Sequence, residues 1–300
     1  MKIATAAYPL SFLDSWAQYE DKLHDWVADA VQNSAELLVF PEYGAMELAT
    51  LDGAETAGNL ERSLFAVSDR LGEADAVHAR LASEYGVTIL AASGPAAYDL
   101  PEGVTRPVNR ARLFAPDCAA GVQDKQIMTR FEAEVWYVAP GGPLQLFDTA
   151  LGRIGVLICY DSEFPLLGRA LADADLILVP SVTEAISGFS RVQIGARARA
   201  LENQCVTVMS SVVGAAEWSE AVDVSVGAGG IFGPPDRGFP ETGIFAQGEI
   251  NQPGWTYAEV DLAQVAEVRR DGGVLNRRDW QHQLGRDGAV TITPLKAEMG

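Results

Sequence analysis

An α/β fold built on a mixed sheet is what this 300-residue chain predicts, and three observations predict it. Short apolar runs recur along the chain, amphipathic helical patterns separate several of them, and residues 91–147 lack long helices and look hairpin-rich. Strands alternating with helices pair in parallel, whereas hairpins pair antiparallel, so one chain with both features makes a mixed sheet.

The elements follow in order. Residues 3–7 read as a first strand. Trp16, Tyr19, Leu23, Trp26, Val27, Ala30 and Val31 then share one face of a helix, with Glu20, Asp21, Lys22, Asp25 and Asp29 on the other. A strand at 37–40 precedes a second amphipathic helix over 60–85, in which Gly72 is a candidate break. Runs at 87–92, 111–114, 153–158, 176–179 and 205–209 read as further strands, with a short helix at 166–172 and a third long one from about 188 to 203. After Gly227 the pattern thins to a strand at 227–233, a turn at 233–238 and a late strand at 255–260. The Gly227-Ala228-Gly229-Gly230 run lacks the glycine spacing and following helix of a dinucleotide loop and reads as a turn. No repetitive or Pro/Gly/Ser-rich stretch divides the chain, so one domain over 1–300 is expected, with 271–300 a tail on the surface or a partner subunit.

Composition narrows the ligand. Against 41 acidic residues stand 22 basic ones, a net charge of −19 that disfavours nucleic acid and anionic membranes as partners. No stretch approaches membrane-spanning length, and the N-terminus lacks the apolar segment of a secretory signal. Three cysteines, Cys118, Cys159 and Cys205, fit neither a disulfide framework nor a zinc knuckle, so a reducing, cytoplasmic setting and a small-molecule ligand are expected.

The candidate chemistry centres on Cys159, where the β-forming run Arg153-Ile154-Gly155-Val156-Leu157-Ile158 stops and a helix-like segment follows. Backbone N–H groups at such an elbow stabilise a thiolate and a neighbouring oxyanion. Packing is the plain alternative for an isolated cysteine, so its partners decide. His24, His78 and His282 lie in helical or surface-like segments and read as solvated, which argues against a Cys-His pair. Glu42, in Phe40-Pro41-Glu42-Tyr43-Gly44, follows a buried-looking strand, where partial desolvation gives a carboxylate the proton affinity a general base needs. Lys125 would steady a thiolate and an oxyanion if the fold brought it close, with Glu132 seven residues on to hold its ammonium.

These segments, in the order Phe-Pro-Glu, Lys and Cys after an apolar strand, resemble the nitrilase superfamily of carbon–nitrogen hydrolases. The resemblance spans most of the chain and includes Phe147-Asp148-Thr149, the elbow Cys159-Tyr160-Asp161-Ser162-Glu163-Phe164-Pro165, Leu178-Val179-Pro180-Ser181 and Arg197-Ala198-Arg199-Ala200-Leu201-Glu202-Asn203. It implies a four-layer α-β-β-α sandwich that pairs as a homodimer or higher homo-oligomer. By position it makes Glu42 the general base, Lys125 the family's lysine, Cys159 the nucleophile and Glu132 a second active-site glutamate, with Glu134 a competing choice.

The implied reaction hydrolyses a small amide through a thioester, with the Tyr160 backbone N–H helping Lys125 hold the oxyanion and no metal or organic cofactor taking part. Tyr160-Asp161 resembles the amidase and carbamoylase branches, where nitrile-cleaving relatives carry Trp-Glu; a nitrilase is the alternative reading, and a non-catalytic scaffold the reading of another class. Trp136 and Tyr160 are expected to wall the substrate pocket, and Glu184 and Arg191, after the strand at 176–179, to meet a charged group on the substrate.

Overall fold

The computed structural model describes residues 1–288 and 290–295. In chain order the elements are β1 (Lys2–Pro9), α1 (Trp16–Gln32), β2 (Leu37–Val39), α2 (Ala54–Ala57), α3 (Leu60–Tyr85), β3 (Thr88–Leu90), β4 (Gly94–Ala96), β5 (Val108–Phe114), β6 (Ala120–Asp124), β7 (Leu146–Thr149), β8 (Gly152–Val156), α4 (Pro165–Ala170), β9 (Leu176–Ser181), α5 (Ile186–Asn203), β10 (Val206–Ala215), β11 (Val224–Ser225), β12 (Gly230–Phe232), β13 (Ile244–Gln247), β14 (Gly254–Glu259), α6 (Ala263–Asp271) and α7 (Asn276–Asp279).

Local chemistry explains the long helices. Ser15 caps α1 by accepting the Gln18 N–H, and Asn59 caps α3 by accepting the Arg62 N–H. The apolar stripe of α1 buries Tyr19, Leu23, Val27 and Ala30. Gly72 does not break α3: the roughly 1 kcal/mol that one mid-helix glycine costs is small beside the burial of Leu64, Val67, Leu71, Val77 and Leu81 on the same helix. His78 departs from the sequence reading: it is buried, its Nδ1 lies 2.8 Å from the Ala74 carbonyl, and its ring stacks on Phe114. It falls on the same stripe as Ala74, Val77, Leu81 and Ala82, so helical position overrides polarity.

The strands form two layers. β1 pairs in parallel with β2 and antiparallel with β14 along its first residues, then meets β10 in parallel only at Ala7–Pro9. β10 pairs with β9 and with β12 nearer its start. The two halves are thus joined where the ends of β1 and β10 meet and stack face to face elsewhere. Alternate residues divide accordingly: Ile3, Leu37 and Val39 pack with Val156, Leu176, Val206 and Val208 between the layers, whereas Ala4, Ala6, Leu38 and Phe40 face α1 and α3. On the far side α5 contributes Phe189, Val192, Ala196 and Ala200. The result is the α-β-β-α order the resemblance implied. Strands buried on both faces read as continuous apolar runs, which is why they were visible in the sequence.

At the C-terminal end, α7 lies against α5, and Arg277 Nε donates to the Ala172 carbonyl at 2.8 Å. Val290, Ile292 and Leu295, further along, are exposed. Among the described residues no helix is long and apolar enough to cross a membrane.

Candidate active site

The site collects at strand ends, where loops leave the sheet. Cys159 follows β8 with φ of +49°, a left-handed conformation unusual for a side chain with a Cβ, and opens the tight turn Cys159–Glu163. The turn is clamped from several directions. Ser162 Oγ donates to the Cys159 carbonyl at 2.7 Å, and Arg199 of α5 donates to the Ser162 carbonyl at 3.1 Å. At Gly195 a Cβ would sit 2.8 Å from that carbonyl, so glycine lets α5 press directly on the elbow. Asp161, buried, accepts the N–H groups of Gln126 (3.2 Å), Ile127 (2.9 Å) and Ile158 (3.2 Å), tying the segment after Lys125 to the residue before the cysteine.

Lys125, at the end of β6, is 1% exposed, and its Nζ lies 2.8 Å from Glu42 Oε1 and 2.6 Å from Glu132 Oε2. Glu132 is held in turn: its Oε2 accepts the Thr129 N–H and hydroxyl at 2.9 and 2.8 Å, and its Oε1 accepts the Tyr43 hydroxyl at 2.8 Å. Glu42 Oε1 also accepts Asn109 Nδ2 at 2.9 Å, and its Oε2 accepts the Val182 N–H at 3.0 Å. The same Val182 presents its carbonyl to Cys159 Sγ at 3.7 Å. One ammonium thus lies between two buried carboxylates, and the backbone of one residue, Val182, reaches both thiol and glutamate.

The electrostatics follow from this geometry. Burial pushes the Glu42 carboxyl up, Lys125 pulls it back and the Glu132 charge adds to the rise, leaving it at about 7. Burial lowers the Lys125 ammonium, but Glu42 and Glu132 together outweigh it and hold the group above its ordinary value, so it stays charged. Burial likewise raises Glu132, and Lys125 with Thr129 overcomes it, keeping that carboxylate ionised. Cys159 is pushed well above an ordinary thiol by burial and by Glu42, with Lys125 opposing. At neutral pH the arrangement holds a neutral thiol, a fixed cation, a fixed anion and one carboxylate that can exchange its proton.

These groups line a cavity of about 320 Å³. Tyr43, Phe131, Trp136 and Val222 give it apolar wall, and Trp136 is fixed by donating Nε1 to the Leu60 carbonyl at 2.9 Å. Tyr160 and Glu184 also line it, as does Arg191, which belongs to the first turns of α5 rather than to a loop and lies 3.4 Å from Glu163. Glu134 is the exception among the expected pocket residues. The chain over Glu132–Trp136 makes a wide helical turn that sends Glu132 and Trp136 inward and Glu134 outward, where it pairs with Arg130 in solvent. Among the described residues no cluster of three or more His, Cys, Asp or Glu side chains could hold a metal ion.

Sequence reasoning passed over Tyr43, Ser93, Asn109, Asp161 and the Val182 backbone as functional groups. Asp161 was within reach of it, as an acid just after the nucleophile candidate in an apolar setting. Asn109, and Ser93 whose hydroxyl donates to Asn109 Oδ1 at 2.7 Å, carry no local sign, because their contacts depend on which strands become neighbours.

The chain belongs to the carbon–nitrogen hydrolase family: the sequence profile of that family, Carbon-nitrogen hydrolase, matches residues 2–270. It is 30% identical over 287 residues to the probable hydrolase YhcX of Bacillus subtilis (strain 168), a match covering 95% of this chain and 54% of YhcX. This chain therefore spans about half the length of that relative. The omega-amidase NIT2-B of Xenopus laevis is 25% identical over 286 residues, 90% of each protein. In fold, the crystal structure of the carbon-nitrogen hydrolase from Helicobacter pylori G27 superposes with a TM-score of 0.75 at 19% identity, over 96% of this chain and 97% of the other.

Proposed function

We propose that this protein hydrolyses the carbon–nitrogen bond of a small amide through a thioester on Cys159. The observation that carries the reading is the Lys125 ammonium fixed between Glu42 and Glu132 beside a buried thiol at a left-handed elbow. Family membership and an amidase-named relative matched along its length support it.

In this reading Cys159 Sγ attacks the amide carbon while its proton passes to Glu42. The carbonyl oxygen becomes an oxyanion stabilised by Lys125 Nζ and the Tyr160 N–H. Collapse breaks the carbon–nitrogen bond, and Glu42 returns the proton to the departing amine or ammonia. Water then gives a proton to Glu42 and attacks the thioester, and loss of the acid product restores the thiol by the same proton. Glu132 keeps the ammonium in place throughout, and a cavity of about 320 Å³ suits a small substrate whose far end meets Glu163, Glu184 and Arg191.

The same proposal takes the protein to be a cytoplasmic homodimer. Its three cysteines are all free, and Leu166 on α4 with Ile194 and Leu201 on α5 leaves apolar side chains exposed on adjacent helices.

Ammonia release from a panel of aliphatic amides, ω-amides, N-carbamoyl amino acids and nitriles tests the assignment, with Cys159→Ala as the control. Turnover of an amide that disappears in Cys159→Ala is expected. Turnover of nitriles alone would replace the amidase reading by a nitrilase, and turnover that survives Cys159→Ala would sink both.

A further inference from the structure

Glu42 has two carboxylate oxygens, and the reaction proposed above needs one of them to take a proton. The surroundings of the two differ. Oε1 accepts Lys125 Nζ at 2.8 Å and Asn109 Nδ2 at 2.9 Å, whereas Oε2 accepts one backbone donor, the Val182 N–H at 3.0 Å, and the Cys159 thiol also reaches the carboxyl group. A carboxylate oxygen offers about two lone-pair directions, so Oε1 is filled and Oε2 keeps one free.

The orientation of the Asn109 amide decides whether Oε1 really meets a donor, and a chain of hydrogen bonds fixes it. Tyr43, the residue after Glu42, sits at φ +54° and donates its backbone N–H to Ser93 Oγ at 3.0 Å. A backbone N–H can only donate, so Ser93 Oγ is the acceptor there and its own proton points onward, to Asn109 Oδ1 at 2.7 Å. With Oδ1 taken, Nδ2 is the end of the amide that faces Glu42. Ser93 is anchored at its backbone as well: its N–H donates to the Pro41 carbonyl at 3.1 Å and its carbonyl accepts the Ala45 N–H at 3.2 Å. Ser93 and Asn109 are fully buried. On β5, Asn109 stands opposite Pro95 of β4, so the β4–β5 hairpin aims the amide at the glutamate.

We infer that Ser93 and Asn109 form a one-way relay of positioning residues that keeps Oε1 of Glu42 an acceptor and thereby makes Oε2 the oxygen that carries the proton exchanged with Cys159. A protonated Oε1 would point its hydrogen at the Lys125 ammonium or the Asn109 amide, both donors. The relay also favours the ionised carboxylate, the form a base must start from. This inference rests on the reading of Glu42 as the general base.

The test needs no substrate. Alkylation of Cys159 by iodoacetamide from pH 5 to pH 9, followed by the mass of the peptide that carries it so that the exposed Cys118 does not contribute, reads the transfer of the thiol proton to its base. In the native protein the rate is expected to climb as Glu42 ionises, and Glu42→Gln should abolish that limb. Asn109→Leu removes the donor to Oε1, and Ser93→Ala frees the amide to turn its oxygen toward the carboxylate. Each should move the limb up by about one pH unit, slowing labelling about tenfold at pH 6 while the curves converge at alkaline pH. A purely structural role would lower the rate evenly across the range, and that result, or an unmoved limb, overturns the relay. Ser93→Ala deletes a single oxygen and carries the test if Asn109→Leu does not fold. A limb that ignores Glu42→Gln would instead refute the general base itself, and with it the proton assignment, so the two failures are distinguishable.

Discussion

Replacing Lys125 by methionine removes one charge while nearly preserving the length of the side chain, and its cost can be worked from the site. The ammonium lies 2.8 Å from Glu42 and 2.6 Å from Glu132, and the three side chains are 1%, 1% and 4% exposed. Deleting the cation strands two carboxylates away from water, and breaking a buried ion pair from one side costs about 3–5 kcal/mol. That is a large part of the roughly 5–15 kcal/mol that holds a domain folded. The loss should depend on pH in a definite direction. Without Lys125 both carboxyls are desolvated acids whose folded proton affinity lies above the unfolded value. Such groups contribute stability that is present below the unfolded carboxylate range and is lost as pH rises through the folded value. In the native protein Glu132 behaves oppositely, because Lys125 and Thr129 hold it below its ordinary value. Urea unfolding of native protein and Lys125→Met at pH 5 and pH 8 should therefore show the full deficit at pH 8 and a smaller one at pH 5. Equal deficits at both, or a deficit under about 1 kcal/mol at pH 8 as for a surface pair, would refute this account.

Glu42→Gln should lower kcat/KM for a turned-over amide by about 10²–10⁴. The native profile should rise as the carboxyl ionises near pH 7, and a profile flat from pH 5 to pH 9 would remove Glu42 from the chemistry. Asp161→Asn leaves one oxygen to accept the N–H groups of Gln126, Ile127 and Ile158, so at least one donor is orphaned. A stability loss of about 1–3 kcal/mol by thermal melting is expected. At the cavity mouth, Glu184→Arg reverses one charge beside the Glu163–Arg191 pair. The ratio of kcat/KM for an anionic amide to that for a cationic one of equal size should rise about tenfold, corresponding to about 1.4 kcal/mol. An unchanged ratio would mean that the charged end of the substrate lies elsewhere.

What could be read in advance depended on how local the cause was. Cys159 stood out because a run of β-formers ends there, and Trp16 to Gln32 announced itself by its stripe. Glu42, Lys125 and Glu132 were legible only as an ordered set, since each alone is an ordinary charged residue. His78 was misread from its polarity although its spacing from Ala74 and Ala82 already put it on the buried stripe. Glu134 was separated from Glu132 by a wide helical turn that alternation along the chain does not reveal. Ser93 and Asn109 were beyond reach: their contact with Glu42 comes from strand register and from the kink at Tyr43, neither of which is written within a few residues of them.

The partners of Glu42 come from far along the chain: Asn109 is 67 residues away, Lys125 83 and Val182 140. Contacts of such separation bear the full loop-closure cost and form late. Until β2, β5, β6 and β9 have found their places, the carboxylate has neither its cation nor its N–H donors, and the thiol lacks the base proposed for it. A partly folded chain therefore carries an ordinary cysteine that cannot acylate itself on passing amides. The proposed chemistry becomes available only to molecules that have finished folding, and iodoacetamide labelling of Cys159 at mildly acidic pH would then time the last step of assembly rather than the first collapse.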